Sequence, residues 1–115
     1  GYLSMDCLAH YRRLIQQIIT EQVEREPSTD EIEAQLIFDT ERDRYQLNYV
    51  GWQDFKRQFD PLIQLDIIDG KIWIQHNGTD ESIAERLVQL GVPTTDIVIG
   101  SHSPFKRLFD SYATH

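Results

Sequence analysis

Residues 65–79 read LDIIDGKIWIQHNGT, and Asp69-Gly70 stands inside them between two β-rich runs, 62–68 and 71–75. An Asp-Gly pair between apolar runs is typical of a type I′ turn, in which both central residues have positive φ. We therefore predict an antiparallel hairpin with a two-residue loop at Asp69-Gly70.

This turn also predicts which side chains share a face, because side chains alternate along a strand. Pairing begins with Ile68 opposite Lys71 and continues outward to Ile63 opposite His76. The core face then consists of Ile63, Leu65, Ile67, Ile72 and Ile74, with His76 at its edge. The second face is amphipathic, so we expect either another segment of the chain or a partner to cover it. Its candidate interaction residues are Asp66, Ile68, Trp73 and Gln75.

The N-terminal half predicts a helix and a second hairpin. The helix is expected to begin near Met5 with Ser4 as its cap and to end before Pro27. Alternation over 33–39 and 45–50 predicts two strands joined by a polar loop. Gly51 indicates a bulge or strand end, and 56–60 fits an irregular strand or a loop. The apolar stripe of the helix is Leu8, Tyr11, Leu14, Ile15, Ile18 and Ile19.

The C-terminal half predicts two helices around a short β-like run at 96–100. The first follows a cap at Thr79 or Asp80, and Gly91 ends it. The last begins at Ser103-Pro104 and is expected to be amphipathic. The apolar residues of these helices are Ile83, Ala84, Leu87 and Val88, then Phe105, Leu108, Phe109 and Tyr112.

The element order α-β-β-β-β-α-(β)-α predicts an α+β fold. It is an antiparallel meander of four or five strands with an N-terminal helix and two C-terminal helices. With 115 residues, we expect one domain over 1–115. We interpret Gly1 as a remnant of a cleaved tag, with Met5-Asp6 as the natural start. Cys7, the single cysteine, is interpreted as a small core residue, and the cytoplasm is the expected compartment.

The formal net charge of −8 and a pI near 4.8 argue against direct DNA binding, which depends on basic surfaces. Four basic pairs are expected to be solvated surface residues rather than phosphate contacts. They are Arg12-Arg13, Arg42 with Arg44, Lys56-Arg57 and Lys106-Arg107. No apolar run approaches the ~20 residues of a membrane span, and no signal peptide is visible, so we expect no membrane association.

Two loop histidines are the candidates for chemistry. His76 and His102 each follow a β-like run, and with Asp80 they could form a metal or acid–base site. The competing interpretation is that both histidines make hydrogen bonds in turns. No catalytic or metal-binding motif is present, and we expect no cofactor. Trp52, Trp73, Tyr45 and Tyr49 fit either core packing or an aromatic protein interface.

Several motifs together resemble the XisI family, the fdxN element excision controlling factors of filamentous cyanobacteria. They are FDTERDRYQL at 38–47, VGW at 50–52, the hairpin at 65–79, IAERLVQLGVP at 83–93, DIVIG at 96–100 and HSP at 102–104, following a strand opening at 32–36. The resemblance spans Met5 to about Tyr112. It implies a small accessory protein that acts with a XisH-type, nuclease-like partner in programmed excision of a DNA element. It implies no catalytic residues.

Two functional hypotheses follow. The first is a non-enzymatic regulatory protein that binds the XisH-type partner. The alternative is a metal- or histidine-dependent nuclease-like enzyme that uses the region of His76, Asp80 and His102. A homodimer is also expected to be possible, because an exposed sheet edge or the mixed face can pair around a two-fold axis.

Overall fold

The computed structural model describes residues 2–115, with side chains from Cys7 onward. It confirms the predicted α+β class and element order; the interpretation of Gly1 lies outside the described residues. The elements are α1 (Tyr2–Arg25), β1 (Ile32–Asp39), β2 (Arg44–Gln53), β3 (Lys56–Ile68), β4 (Lys71–Asn77), α2 (Ile83–Gln89), β5 (Ile97–Ile99) and α3 (Pro104–Arg107). A single 3-10 turn, Thr94–Asp96, leads into β5 in this part of the chain.

The strands form one sheet in the order β1-β2-β3-β4-β5. The first four strands are an antiparallel meander, whereas β5 runs parallel to β4 because α2 carries the chain back across the sheet. Residues of α1 and α2 pack with the core face of the sheet into one apolar cluster. No helix within residues 2–115 is both long and apolar enough to cross a membrane.

Helix α1 buries the predicted stripe from Tyr11 to Ile19, while Leu8 is only partly covered. The helix begins at Tyr2 rather than near Met5, so Ser4 lies inside it and is not its cap; the side chain of Ser4 is not among those described. Cys7 is exposed, which corrects the prediction of a core residue. Burial declines toward the start of α1, as the partial cover of Leu8 also shows.

The Asp69-Gly70 turn has the predicted positive φ values, 52° and 77°. The first four predicted pairs, from Ile68–Lys71 to Leu65–Ile74, are confirmed, and so is the burial of the core face. Beyond them a β-bulge places Gln64 opposite His76, so the predicted pairs Gln64–Gln75 and Ile63–His76 are wrong. The extra residue turns His76 onto the second face of the sheet.

Residues 56–60 are a regular part of β3. They pair with the end of β2 through a tight turn at Asp54-Phe55, whose φ values are 52° and 66°. We call this hairpin end, residues 50–61, the arm. Gly51 lies within paired β2 and is neither a bulge nor a strand end; the register shift falls at Leu47/Asn48. A Cβ on Gly51 would stand 2.0 Å from the carbonyl oxygen of Glu31, so only glycine fits this close approach.

The C-terminal helix differs most from its prediction. Ser103 caps α3 as expected, accepting a hydrogen bond from the backbone N–H of Lys106 at 3.1 Å. However, α3 is a single turn, and the apolar residues assigned to its buried face are exposed, apart from the partly buried Tyr112. Val88 of α2 is also exposed. Because α3 is only one turn long, it has no continuous apolar stripe to bury, and Phe105, Leu108 and Phe109 remain at the surface.

Candidate protein-interaction surface

Arg107 fastens the C-terminal segment onto the second face of the sheet. Its Nε donates to the carbonyl oxygens of His102 at 3.0 Å and Ile99 at 3.3 Å. Its Nη atoms donate to Gly100 at 3.3 Å and Thr114 at 3.4 Å. Carbonyls before and after α3 therefore share one guanidinium, which fixes the path of the chain between them.

The same guanidinium lies over the indole of Trp73, 5.1 Å from the ring centroid. Val98, opposite Trp73 in the β4–β5 register, is fully buried. Ala113 pairs beside Val98, and its N–H donates to the carbonyl of Ile97 at 2.9 Å. The cover expected over the second face is thus supplied, at β4 and β5, by the chain's own last residues.

The four predicted interaction residues lie together on this face, but they are not equally accessible. Asp66 is buried, and its Oδ2 accepts a hydrogen bond from Gln75 Nε2 at 3.1 Å, with Arg44 Nε at 3.8 Å. Its Oδ1 is buried without a hydrogen-bond partner among the described residues. Ile68, Trp73 and Gln75 are partly buried. Their role in binding a partner stays a prediction.

Three exposed apolar side chains lie on the segment that Arg107 anchors. Phe105, Leu108 and Phe109 expose 72%, 64% and 74% of their surface, and the two phenyl rings meet edge to face at 5.2 Å between centroids. We call them the C-terminal apolar patch. They flank Arg107 in sequence, and Arg107 itself contacts Trp73. Sequence reasoning missed this site because the same spacing also fits a packed helix.

The four aromatic residues considered for an interface separate into core and surface. Tyr45 and Tyr49 are buried in the main core, and Trp73 is half-buried under Arg107. Trp52 is exposed on the arm, where the guanidinium of Arg57 lies 5.6 Å from its ring centroid. Only the two tryptophans, therefore, remain near partner-accessible surfaces.

The structure places the two candidate histidines in different depressions. His76 lines a depression of about 220 Å³ between β2, β3 and β4, together with Gln46, Asn48 and Gln64. His102 lies with Asp80 in a separate groove beside α2, and its Nδ1 is 3.0 Å from Asp110 Oδ2. Within the part of the chain that the structure describes, no three His, Cys, Asp or Glu side chains are grouped to hold a metal ion. The three residues of the nuclease-like alternative therefore do not form one site.

Several arginines of the basic pairs face carboxylates of the same chain. Arg12 of α1 donates to both carboxylate oxygens of Asp43, at 2.8 and 3.1 Å, and the Tyr45 hydroxyl donates to the same side chain at 2.9 Å. The hydrogen bonds from Arg12 hold the pKa of Asp43 below its usual value, whereas burial raises the pKa of Tyr45. Arg42 donates through one Nη atom to a single carboxylate oxygen of Asp39, at 3.2 Å. These positive charges are thus partly neutralised within the chain.

A helix on a four-stranded antiparallel meander, extended by a fifth, parallel strand and followed by a C-terminal segment, is the architecture of the XisI-like class of small α+β proteins. A crystal structure of a XisI-like protein from Anabaena variabilis matches 92% of this chain and 97% of its own, with 44% identity and a TM-score of 0.88. The structure of the fdxN element excision controlling factor XisI from the same organism matches 95% of this chain and 99% of its own, with 35% identity and a TM-score of 0.85.

The family model for XisI protein matches residues 5–114, and this chain belongs to the XisI family. The family assignment made from the motifs is thereby confirmed. No curated protein matched the chain.

Proposed function

We propose that this protein is a non-enzymatic accessory factor that acts in the cytoplasm by binding a XisH-type protein. The structural neighbour with 35% identity is named as an excision controlling factor, which supports a regulatory rather than a catalytic role. The observation that carries the proposal is the C-terminal apolar patch. Aromatic side chains anchor many protein interfaces, and Phe105 and Phe109 are fixed on a segment that Arg107 holds in place.

The geometry around the patch is suited to a protein partner. An interface needs a central apolar region that water leaves on binding and a polar rim around it. Phe105, Leu108 and Phe109 supply the apolar centre. Because the segment is already anchored, little conformational entropy is lost when the partner binds.

The net charge of −8 favours a partner that presents a basic surface. An acidic protein attracts a basic protein surface and repels nucleic acid, so electrostatics steers the encounter toward the protein component of an excision complex. We expect association to slow as salt concentration rises, since the long-range part of this attraction is screened.

The test is binding of the purified chain to a XisH-type protein encoded near it, measured by calorimetry. We expect the F105A/F109A double variant to bind at least about tenfold more weakly, because each truncation removes an apolar anchor. The matched control is Phe59→Ala on the arm, an equally exposed phenylalanine outside the patch. It should bind like the wild type.

Urea unfolding of all three proteins separates binding from folding, and it should give similar midpoints because these rings are exposed. The absence of association at micromolar concentrations would contradict the proposed function. Equal losses for Phe59→Ala and the double variant would instead move the interface away from the C-terminal apolar patch.

A further inference from the structure

Strand β1 forms an edge of the sheet, and its two halves differ in how their outer backbone groups are occupied. The N–H of Ile32 donates to Thr29 Oγ1 at 3.0 Å, and the N–H of Ala34 donates to Ser28 Oγ at 2.9 Å. The loop before β1 therefore occupies the outer side of the first half. On the inner side, β2 pairs along all of β1.

The second half of this edge is open. Outward-pointing groups alternate along a strand, so the phase set by Ile32 and Ala34 also points the N–H and C=O groups of Leu36 and Phe38 outward. Within residues 2–115, no strand other than β2 pairs with β1. Leu36 and Ile37 are also 40% and 46% exposed.

This open stretch has none of the usual features that prevent edge pairing. Residues 35–38 read QLIF, without charge, proline or bulge. At the opposite edge of the sheet, by contrast, Ala113 pairs with Val98 of β5 and occupies part of the edge. The second half of the β1 edge can therefore pair with a strand from outside this chain.

We propose that two copies of this chain pair through β1, antiparallel, around a two-fold axis at Ile37. In this register Leu36 lies opposite Phe38 of the second copy, and their outward groups form about four backbone hydrogen bonds. Ile37 faces its own equivalent across the axis on the second face of the sheet. The meanders of the two copies then join into one continuous sheet.

Neighbouring registers are less favourable for reasons visible in the monomer. A pair centred on Leu36 would need the N–H of Ala34, which already bonds Ser28, and would place Glu33 opposite Asp39 of the second copy. Like charges directly opposite destabilise a strand pair. A pair centred on Phe38 would extend beyond Asp39, where β1 ends. The Ile37 register instead sets the uncharged Gln35 opposite Asp39, so no like charges face each other there.

The absence of charged side chains from residues 35–38 favours a second copy of this chain as the strand that pairs with β1. A second copy brings the same uncharged Gln-Leu-Ile-Phe stretch, so the pair is self-complementary around the axis, as an isologous interface requires. The contact does not include the C-terminal apolar patch. It therefore stands independently of the proposed XisH-type interaction.

Disulfide trapping tests the register. In antiparallel sheets, a non-hydrogen-bonded pair has Cα atoms about 4.5 Å apart, within the range that a disulfide spans. In a Cys7→Ser background, Ile37→Cys should form a covalent dimer on mild oxidation. Leu36→Cys is the matched control: its residue is similarly exposed but faces Phe38 of the second copy, so it should cross-link at least about tenfold more slowly.

Sedimentation and light scattering of the whole chain at micromolar to millimolar concentrations test the association itself. We expect a concentration-dependent dimer, and Ile37→Lys should weaken it at least about tenfold because two ammonium groups would face each other across the axis. Calorimetry with the XisH-type partner should be unchanged for Ile37→Lys. A monomer at every concentration overturns the proposal, as does a dimer that neither Ile37→Lys nor the cross-linking pattern distinguishes from the controls.

Discussion

The two edges of the sheet are finished in different ways. Beside β5, the last residues of the chain add a strand bridge, a cation–π contact and several hydrogen bonds from Arg107. Beside β1, two short side chains, Ser28 and Thr29, occupy only the first half of the edge. The difference teaches that the C-terminal residues close one edge of this sheet, whereas the second half of the other edge keeps outward-facing backbone groups without a strand partner among the described residues.

The largest expected effect concerns the closed edge. Arg107→Ala removes the donors to four backbone carbonyls and the contact with Trp73. We expect the free energy of unfolding to fall by about 3 kcal/mol, since charge-assisted hydrogen bonds contribute more than neutral ones. Urea denaturation measures the loss. The neighbouring exposed Lys106→Ala is the control and should stay within about 0.5 kcal/mol of the wild type.

The two tryptophans provide the next comparison. Trp73 is half-buried beneath Arg107, while Trp52 projects from the arm and contacts Arg57. We expect Trp73→Ala to lower the free energy of unfolding by about 2 kcal/mol and Trp52→Ala by less than about 0.5 kcal/mol. Matched urea curves test the ranking. Equal losses would mean that the closed edge does not depend on its indole contact.

The smallest expected change in the free energy of unfolding concerns Asp43, in the turn between β1 and β2. Asp43 links this turn to α1 through Arg12, and its folded-state pKa lies below its usual value. The carboxylate therefore stabilises the fold above the unfolded-state pKa of about 3.9, and this contribution is lost as pH falls through the lower folded-state pKa. We expect Asp43→Asn to cost about 1–2 kcal/mol at pH 7 and progressively less below pH 4.

The control for this pH dependence is the same substitution in an Arg12→Ala background. There Asp43→Asn should cost less at pH 7, and its cost should vary less with pH, because the main cause of the lowered pKa is absent. An undiminished pH dependence in that background would assign the effect to the Tyr45 hydroxyl instead.

Sequence reasoning worked where local chemistry determines structure. The Asp69-Gly70 turn specified the hairpin and its first four pairs, and the helical spacing in α1 specified which residues are buried. The predicted hairpin register failed just beyond the Leu65–Ile74 pair, where Gln75 is the extra residue of a β-bulge. No residue type in the sequence marks that bulge, which depends on how β3 is paired on both sides.

Two other differences between prediction and structure have separate physical causes. The Asp54-Phe55 turn adopts positive φ without glycine, so the sequence lacks the usual turn signal there, and residues 56–60 fit a loop as well as an irregular strand. The spacing of Phe105, Leu108 and Phe109 is compatible with a buried helix and with an exposed patch. Only the tertiary contacts of Arg107 decide between them. The candidate interaction surface was therefore half predicted, at Trp73, and half revealed by the fold.

The tip of the arm offers a place to attach a label or graft a peptide. Two residues with positive φ that are not glycine carry a conformational cost of order 1 kcal/mol each, and the side chain of Phe55 is fully in solvent. We expect an inserted sequence to relieve that cost and to leave the packing of α1 and of the C-terminal segment unchanged. A fluorophore at Asp54-Phe55 would thus report on assembly from outside both proposed interfaces.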